Sequence, residues 1–501
     1  IAATAAKHLP YQLSKKGFNK FYEMLWEGIL SPSTPVHSNM GTTRGYPISC
    51  AGSYTGDSVY EFYQAKLETA LLTKMGFGTS TYVGDVRPRG SLFNGGGTAS
   101  GVVPLLASFV NDTQLVSQGS NRRGAIAGYL PVTHNDFDEL ADYLLANPDD
   151  LNIGWNIPDS FTDDLENGVP EAVRRYQKML KIKAVTGRGY FWFVDKANRK
   201  LPQVYKDAGL KNYASNLCSE ILLPSNDELT YSCVLSSLNL VHWDKIKAAL
   251  GTDECYVKWA TLFLDCVVSE FLEQSEGSPG FEKIRRFTER FRALGLGVCG
   301  YHTLLMQKRI PWESLEALWL NQEIFSEIQK AAQNASNGKN ASLIAIAPTK
   351  STALLMGGVS EGINPVPAFT FTQTTAAGNV DRIDPVLLDL MKERGVDIES
   401  AIKDVAKSFG SVQGVSWLTP EEKQVFKTAF EIDQRWVIRH ASQRGPYIDQ
   451  WQSVNVFFSA DEPEENISAV HKEAFLDEQI VGLYYMYTLA GVKASSGECD
   501  V

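Results

Sequence analysis

The chain has 501 residues, with 58 acidic against 47 basic side chains and a formal net charge of −11 at pH 7. That balance argues against a broad electrostatic footprint on DNA or RNA and leaves nucleotides to be bound one at a time in pockets. With 44% apolar and 21% charged residues the chain can build an ample core, and no apolar run approaches the roughly 18 residues of a membrane span.

No basic-then-apolar leader opens the chain, so the expected location is the cytoplasm. Seven cysteines, an odd number without a CxxC pair, suit a reducing compartment with selected reactive thiols better than a disulfide framework. Length alone predicts roughly three average domains, although barrel folds hold far more in one.

In chain order, Phe18, Phe21, Tyr22, Leu25, Trp26 and Leu30 recur at helical spacing, which predicts a helix running to a turn at Ser31 to Pro35. Pro47 to Tyr54 is apolar and compact between turn signals and reads as a strand carrying Cys50. Ser58-Val59-Tyr60-Glu61 is a capping-box pattern ahead of Val59, Phe62, Tyr63, Leu67, Ala70 and Leu71, so a helix starts there. Asn94 to Gly97 and Gly119 to Gly124 read as loops, the second followed by a strand over Ala125 to Val132. Further helices are expected at 169–183, 283–306, 386–408 and 420–443, and buried strands at Ser342 to Ala347 and Ser453 to Phe458. Cys255, Cys266 and Cys299 read as core cysteines on helices. Asp461 to Glu465 reads as a solvated acidic loop and Gly491 to Val501 as a flexible tail. Strands alternating with long helices indicate an α/β architecture with a largely parallel sheet or barrel.

The chemistry-bearing stretch is Asn216-Leu217-Cys218-Ser219-Glu220-Ile221. Read as extended, it places Asn216, Cys218 and Glu220 on one face at intervals of about 6.8 Å. An amide, a thiol and a carboxylate in a row can hold a small polyol, attack it with sulfur and move a proton. Cys50 and Cys233, the latter in Tyr231-Ser232-Cys233-Val234, supply two further thiols; a zinc site or three core cysteines are the alternatives. Tyr484-Tyr485, in Gly482-Leu483-Tyr484-Tyr485-Met486, reads by itself as an aromatic pair of a core or a surface. Pro348-Thr349-Lys350-Ser351-Thr352-Ala353 follows a buried strand and offers hydroxyls and N–H groups at a strand-to-helix turn, either a phosphate cradle or a capping cluster, without P-loop spacing. Asp57-Ser58-Val59 opens a helix, where such residues ordinarily cap. Arg122-Arg123 lies between glycines just before a strand.

Taken in order, Thr34-Pro35, Ile48-Ser49-Cys50, Gly119 to Tyr129, the Asn216 stretch, Tyr231-Ser232-Cys233, Pro348 to Ala353 and Tyr484-Tyr485 make the chain resemble the catalytic large subunit of class I ribonucleotide reductases. The resemblance implies a ten-stranded α/β barrel of two five-stranded parallel halves over 46–490, with Cys218 on a finger loop threaded through its centre. A short helical segment over 1–45 without an ATP cone and a tail over 491–501 complete the implied layout. It also implies roles. Cys218 would be the thiyl residue that takes the 3' hydrogen of the substrate ribose, and Glu220 would take the 3' hydroxyl proton. Asn216 would hold the ribose hydroxyls, and Cys50 with Cys233 would reduce the 2' position and leave as a disulfide. Tyr485 and Tyr484 would relay the radical from a small subunit holding a metal pair. Ser49 and Thr349, Lys350, Ser351, Thr352 and Ala353 would hold the diphosphate, with Arg123 reaching the base. Asp57, Ser58 and Val59 would touch the base and sugar of a dNTP or ATP specificity effector bound with Mg2+, and Arg87 its phosphates. Cys499, a single tail thiol where the family usually has two, would pass electrons from thioredoxin or glutaredoxin.

The implied partners are that small subunit, the reductant and a second copy of the chain, with no nucleic acid, no membrane, no covalently bound cofactor and no resident metal. Two rival readings are a cobalamin or glycyl-radical barrel relative and a catalytically inactive nucleotide-binding regulatory subunit. Leu489-Ala490-Gly491-Val492 is a poor match to a glycyl loop.

Overall fold

The computed structural model describes residues 1–93, 95–116, 124–375 and 378–489, with backbone alone at 372–375 and 378–381. Arg123, Cys499, Asn94 and the 491–501 tail lie outside the described residues.

Five strands, Cys50–Tyr54, Gly78–Tyr82, Ile126–Pro131, Asn152–Ile157 and Tyr190–Phe193, pair in parallel in that order. Parallel neighbours need long crossovers, and helices Val59–Lys74, Val102–Leu115, Phe137–Ala146 and Pro170–Thr186 supply them. A second set begins with Tyr231–Asn239, which pairs in parallel with Leu294–Cys299. It continues through parallel bridges of Leu296 with Ile344 and of Ile346 with Gln452, and ends with Val456–Phe458 beside Met486–Thr488. The two sets meet antiparallel at both seams. Cys50–Tyr54 pairs with Tyr231–Asn239, and Tyr190–Phe193 pairs with Gly482–Leu483. Five segments and five segments therefore close into a ring, the ten-stranded α/β barrel expected, with strand Leu30–Pro32 added antiparallel on Tyr231–Asn239.

The strands are buried on both faces because helices cover the outside and residues 212–225 fill the inside, as parallel sheets require. Those residues carry no helix or strand. A buried loop must find partners for its main chain without a ladder, and here side chains supply them. Asn212 Nδ2 donates to Ala214 O and Leu223 O, Ser215 Oγ donates to Ile221 O, and Gln450 Oε1 accepts from Leu222 N–H.

Several expected elements are revised. The helix expected over 283–306 is helix Glu282–Phe291, strand Leu294–Cys299 and helix Tyr301–Gln307. Glycines permit that strand: a Cβ at Gly295 would lie 2.4 Å from Leu235 and 2.9 Å from Cys233 Sγ, and one at Gly297 would lie 2.6 Å from Ala345 O. Cys299 accordingly ends a strand. The 386–408 helix divides into Pro385–Glu393 and Ile398–Lys407 around Gly395, whose φ is +63°. The 420–443 helix divides into Pro420–Val425 and Gln434–Arg444. The N-terminal helix is two, Ala2–Ala6 and Tyr11–Trp26. The end of the acidic 461–465 run opens helix Glu464–Leu476, where carboxylates suit the positive end of the dipole.

Candidate active site

Cys50 and Cys233 are direct cross-strand partners at the antiparallel seam, both buried and both thiols. Directly opposed residues of an antiparallel pair have Cα atoms about 4.5–5.5 Å apart, inside the range a disulfide spans, so the pair can oxidise without moving the backbone. Burial pushes the Cys233 thiol well above its usual range.

Residues 216–220 correct the sequence expectation, because they form a turn rather than an extended row. Ser219 takes a left-handed φ of +61°, an unusual conformation for a residue with a Cβ. Asn216 and Glu220 therefore meet by the chain folding back. Asn216 Nδ2 donates to Glu220 Oε1 at 2.9 Å and to Cys50 Sγ at 3.3 Å. Its Oδ1 accepts from the N–H groups of Glu220 and Ile221 at 3.1 and 3.3 Å. One amide thus ties the carboxylate to a member of the thiol pair, while Cys218 sits fully buried at the tip.

Glu220 is fully buried, and burial raises its carboxyl to about 7 against the pull of its own backbone N–H, Asn216 and Ser453. Ser453 Oγ lies 2.7 Å from Cys218 O and 3.2 Å from Glu220 Oε2. A hydroxyl has one hydrogen, so protonated Glu220 satisfies both contacts by donating to Ser453 while Ser453 donates to Cys218 O. A carboxyl poised near neutrality can take or give a proton at working pH. Tyr129 OH donates to Asn216 O at 2.7 Å, and Gln450 Nε2 donates to Cys233 Sγ at 3.6 Å and to Leu294 O at 2.8 Å.

Tyr484 and Tyr485 have ring centroids 3.9 Å apart at 46°, and the Tyr190 ring lies 4.9 and 5.6 Å from them. Tyr484 is buried and Tyr485 half-buried. Tyr484 N–H donates to Val454 O at 2.8 Å, one residue from Ser453, which ties the tyrosine segment to the strand that supports the Cys218 turn.

Ser49, next to Cys50, donates through Oγ to Ser33 Oγ at 2.6 Å. Ser33 follows strand Leu30–Pro32, against which helix Lys350–Leu355 packs. Thr349 caps that helix with φ +54°, and its Oγ1 accepts from Gly362 N–H at 2.7 Å. Lys350 is exposed, Ser351 half-buried, and Thr352 and Ala353 buried. Ser33 thus ties Ser49, the neighbour of Cys50, to the end of the strand on which the hydroxyl-bearing helix packs.

Asp57 and Arg87 are paired elsewhere, beyond the opposite end of strand Cys50–Tyr54 from Cys50. Arg87 donates through Nε and its backbone N–H to the two Asp57 carboxylate oxygens at 2.7 and 3.0 Å. Ser58 caps helix Val59–Lys74 by accepting from Glu61 N–H, and Val59 is 69% exposed. Among the described residues the one group with metal-ligand spacing is His8, Glu270 and Glu273. It joins the turn between helices Ala2–Ala6 and Tyr11–Trp26 to helix Tyr256–Gln274, and Lys7 Nζ already sits 2.8 Å from Glu270.

Tyr129, Tyr190, Gln450 and Ser453 were not singled out by sequence reasoning. For the last two a signal existed: Gln450-Trp451-Gln452-Ser453 leads polar residues directly into the buried strand expected at Ser453 to Phe458.

The family model for the ribonucleotide reductase barrel domain matches residues 48–175, 164–339 and 338–486. The chain is 31% identical, over 94% of its length and 88% of the relative's, to a protein of Frog virus 3 (isolate Goorha) described as a putative ribonucleoside-diphosphate reductase large subunit. It is 27% identical, over 91% of its length and 63% of the relative's, to the vitamin B12-dependent ribonucleoside-diphosphate reductase of Thermoplasma acidophilum. Among solved structures it is similar to the Actinobacillus ureae class Id ribonucleotide reductase alpha subunit, with a TM-score of 0.87, 34% identity and coverage of 98% of this chain and 93% of that one. The closed ring of two antiparallel-joined halves, the thiol pair at their seam and the match across nearly all of the barrel lead to one conclusion: the chain belongs to the ribonucleotide reductase barrel-domain family.

Proposed function

We propose that this chain is the catalytic subunit of a class I ribonucleotide reductase, converting ribonucleoside diphosphates to 2'-deoxyribonucleoside diphosphates. The observation that carries the reading is the Asn216 amide, which joins a neutral-range carboxyl to a cross-strand thiol beside the Cys218 turn. In this reading Cys218 as a thiyl radical takes the 3' hydrogen of the ribose, and Glu220 takes the proton of the 3' hydroxyl while Asn216 holds the hydroxyls. The 2' hydroxyl leaves as water, and Cys50 and Cys233 supply two electrons and two protons and end as a disulfide. Ser49 and Thr349 to Ala353 hold the diphosphate, and Arg123 reaches the base. Cys499 returns electrons from thioredoxin or glutaredoxin.

The tyrosine pair carries the choice among radical sources. Relatives include vitamin B12-dependent enzymes, but two rings in contact at 3.9 Å suit a radical arriving stepwise from outside the barrel. The implied donor is a small subunit with a metal pair, delivering through Tyr485 and then Tyr484. Asp57, Ser58, Val59 and Arg87 take a dNTP or ATP effector with Mg2+, and the working form is a cytoplasmic homodimer. Among the described residues no helix is long and apolar enough to cross a membrane.

A single-turnover experiment tests the thiol assignment. Pre-reduced chain given a small subunit, effector and CDP without external reductant is expected to make one dCDP per chain while Cys50 and Cys233 become disulfide-linked, as mapped by mass spectrometry. Product formed with both thiols intact would overturn it.

A further inference from the structure

Lys183 is buried, and among the described residues it has no charge partner. It stands in the last turn of helix Pro170–Thr186, and its exposure is 0%. An ammonium taken out of water without a counter-ion is costly, and three weaker features offset this one. The negative end of its own helix dipole is nearby, the Phe191 ring lies 4.9 Å from Nζ, a cation–π distance, and Nζ donates to the main-chain oxygen of Tyr484 at 2.6 Å.

That last contact completes a local account. Tyr484 and Tyr485 occupy the interruption between strands Gly482–Leu483 and Met486–Thr488. Their main chain has four polar groups, each of which needs a partner when buried. Three are met by the neighbouring strand: Tyr484 N–H by Val454 O, Tyr485 N–H by Asn455 Oδ1 and Tyr485 O by Val456 N–H. The fourth, Tyr484 O, receives Lys183. Gly187, which follows the same helix, accepts from Met486 N–H at 3.0 Å, so the helix end grips the tyrosine segment on both sides.

We propose that Lys183 is a positioning residue for the tyrosine relay, holding Tyr484 O so that the two rings keep their contact. This rests on the relay reading above. In that relay a hydrogen atom, one proton with one electron, passes from the Tyr484 hydroxyl to the oxygen radical of Tyr485. The Tyr484 oxygen radical then takes a hydrogen atom from the Cys218 S–H. Each step breaks one O–H or S–H bond and forms one O–H bond; Lys183, which burial lowers to about 7, has an N–H to donate to Tyr484 O whether charged or neutral and gives up no proton to the relay. Positional errors of about 1 Å at reacting atoms can cost about 100-fold in rate, so a group that fixes the tyrosine backbone acts on the rate without touching substrate.

The test compares Lys183→Met and Lys183→Arg with the parent in the complex with small subunit, effector and CDP. Lys183→Met is expected to lower turnover by about tenfold or more with unchanged KM for CDP; because it removes both a buried ammonium and the donor to Tyr484 O, the two rates rather than the melting temperature decide the role. Lys183→Arg, which keeps a charged donor, is expected to recover part of the loss. The rate of radical formation on 3-aminotyrosine installed at position 484, followed by EPR, should fall with turnover in Lys183→Met. A lysine that serves only the fold would instead move the melting temperature and leave both rates intact, and that result overturns the inference. If Lys183→Met does not fold, Lys183→Gln, whose neutral amide ends one bond short of Nζ, takes its place: slowed radical formation supports positioning, and parental formation refutes it. Tyr484→Phe run alongside separates the two levels. If it is active, the relay itself is wrong; if it is dead while Lys183→Met is fully active, only the positioning role falls.

Discussion

The loop through the barrel and the loop at Asp57 hold their polar groups in opposite ways. Within 212–225 the contacts are buried and supplied by the loop's own Asn212, Ser215 and Asn216 together with side chains reaching in from outside it, among them Tyr129, Gln450 and Ser453. At Asp57 the partner is Arg87, and their side chains are 28% and 40% exposed. Removing a buried partner leaves a donor or acceptor that water cannot reach, at about 1–3 kcal/mol each. Removing an exposed partner returns its mate to water, and such pairs contribute about 0–1 kcal/mol. The inner loop therefore has one geometry fixed by the wall around it, whereas the outer pair can exchange its ion contact for an anionic ligand at small cost.

Substitutions that probe this contrast fall in a sequence of decreasing effect. Glu220→Gln keeps the shape of the inner turn and removes its titration, so turnover is expected to drop about 100-fold or more, measured as dCDP formed per minute. In the parent, the burial that raises Glu220 to about 7 leaves it protonated and unable to accept a proton in acid, so turnover should rise through pH 7. That limb should vanish in Glu220→Gln. The stability sign is opposite: because the folded carboxyl binds its proton more tightly than the unfolded one, the parent loses stability as pH rises from about 4.5 to about 7. Glu220→Gln should lack that slope in pH-dependent melting.

Asn216→Leu leaves the Glu220 N–H without its acceptor, while Ile221 N–H keeps Ser215 Oγ at 3.2 Å, and a loss of about 1–3 kcal/mol is expected in urea unfolding. A loss below about 1 kcal/mol would mean that the inner loop is not held as described. The smallest stability change belongs to Arg87→Ala, about 0–1 kcal/mol, together with weaker dNTP binding by calorimetry. Unchanged dNTP affinity would remove Arg87 from the effector site.

The barrel was legible where residue types repeat. Strands Cys50–Tyr54 and Ile126–Pro131 follow from their apolar runs and helix Val59–Lys74 from its capping-box start, although the apolar Val59, Tyr63 and Leu67 of that helix are exposed and its buried face is Ala65, Glu68, Thr69, Leu72 and Thr73. Strand Leu294–Cys299 was hidden because one helix over 283–306 was read straight through its glycines, whose reason is the close approach of Leu235 and Ala345, which only the fold reveals. The Asn216 stretch was legible in composition but not in shape, since alternation assumed an extended chain and Ser219 turns it. The Cys50–Cys233 register, the Tyr190 contact and the reach of Lys183 to Tyr484 are long-range, and no local pattern encodes them.

The central claim is that a radical reaches the buried thiol of Cys218 through Tyr484. Its most direct test is CDP reduction with dithiothreitol and a matched small subunit, comparing the parent with Cys218→Ser and Tyr484→Phe. The account predicts dCDP from the parent alone, with both variants still binding effector. Full activity in Tyr484→Phe would contradict it, because the radical would then arrive by another route.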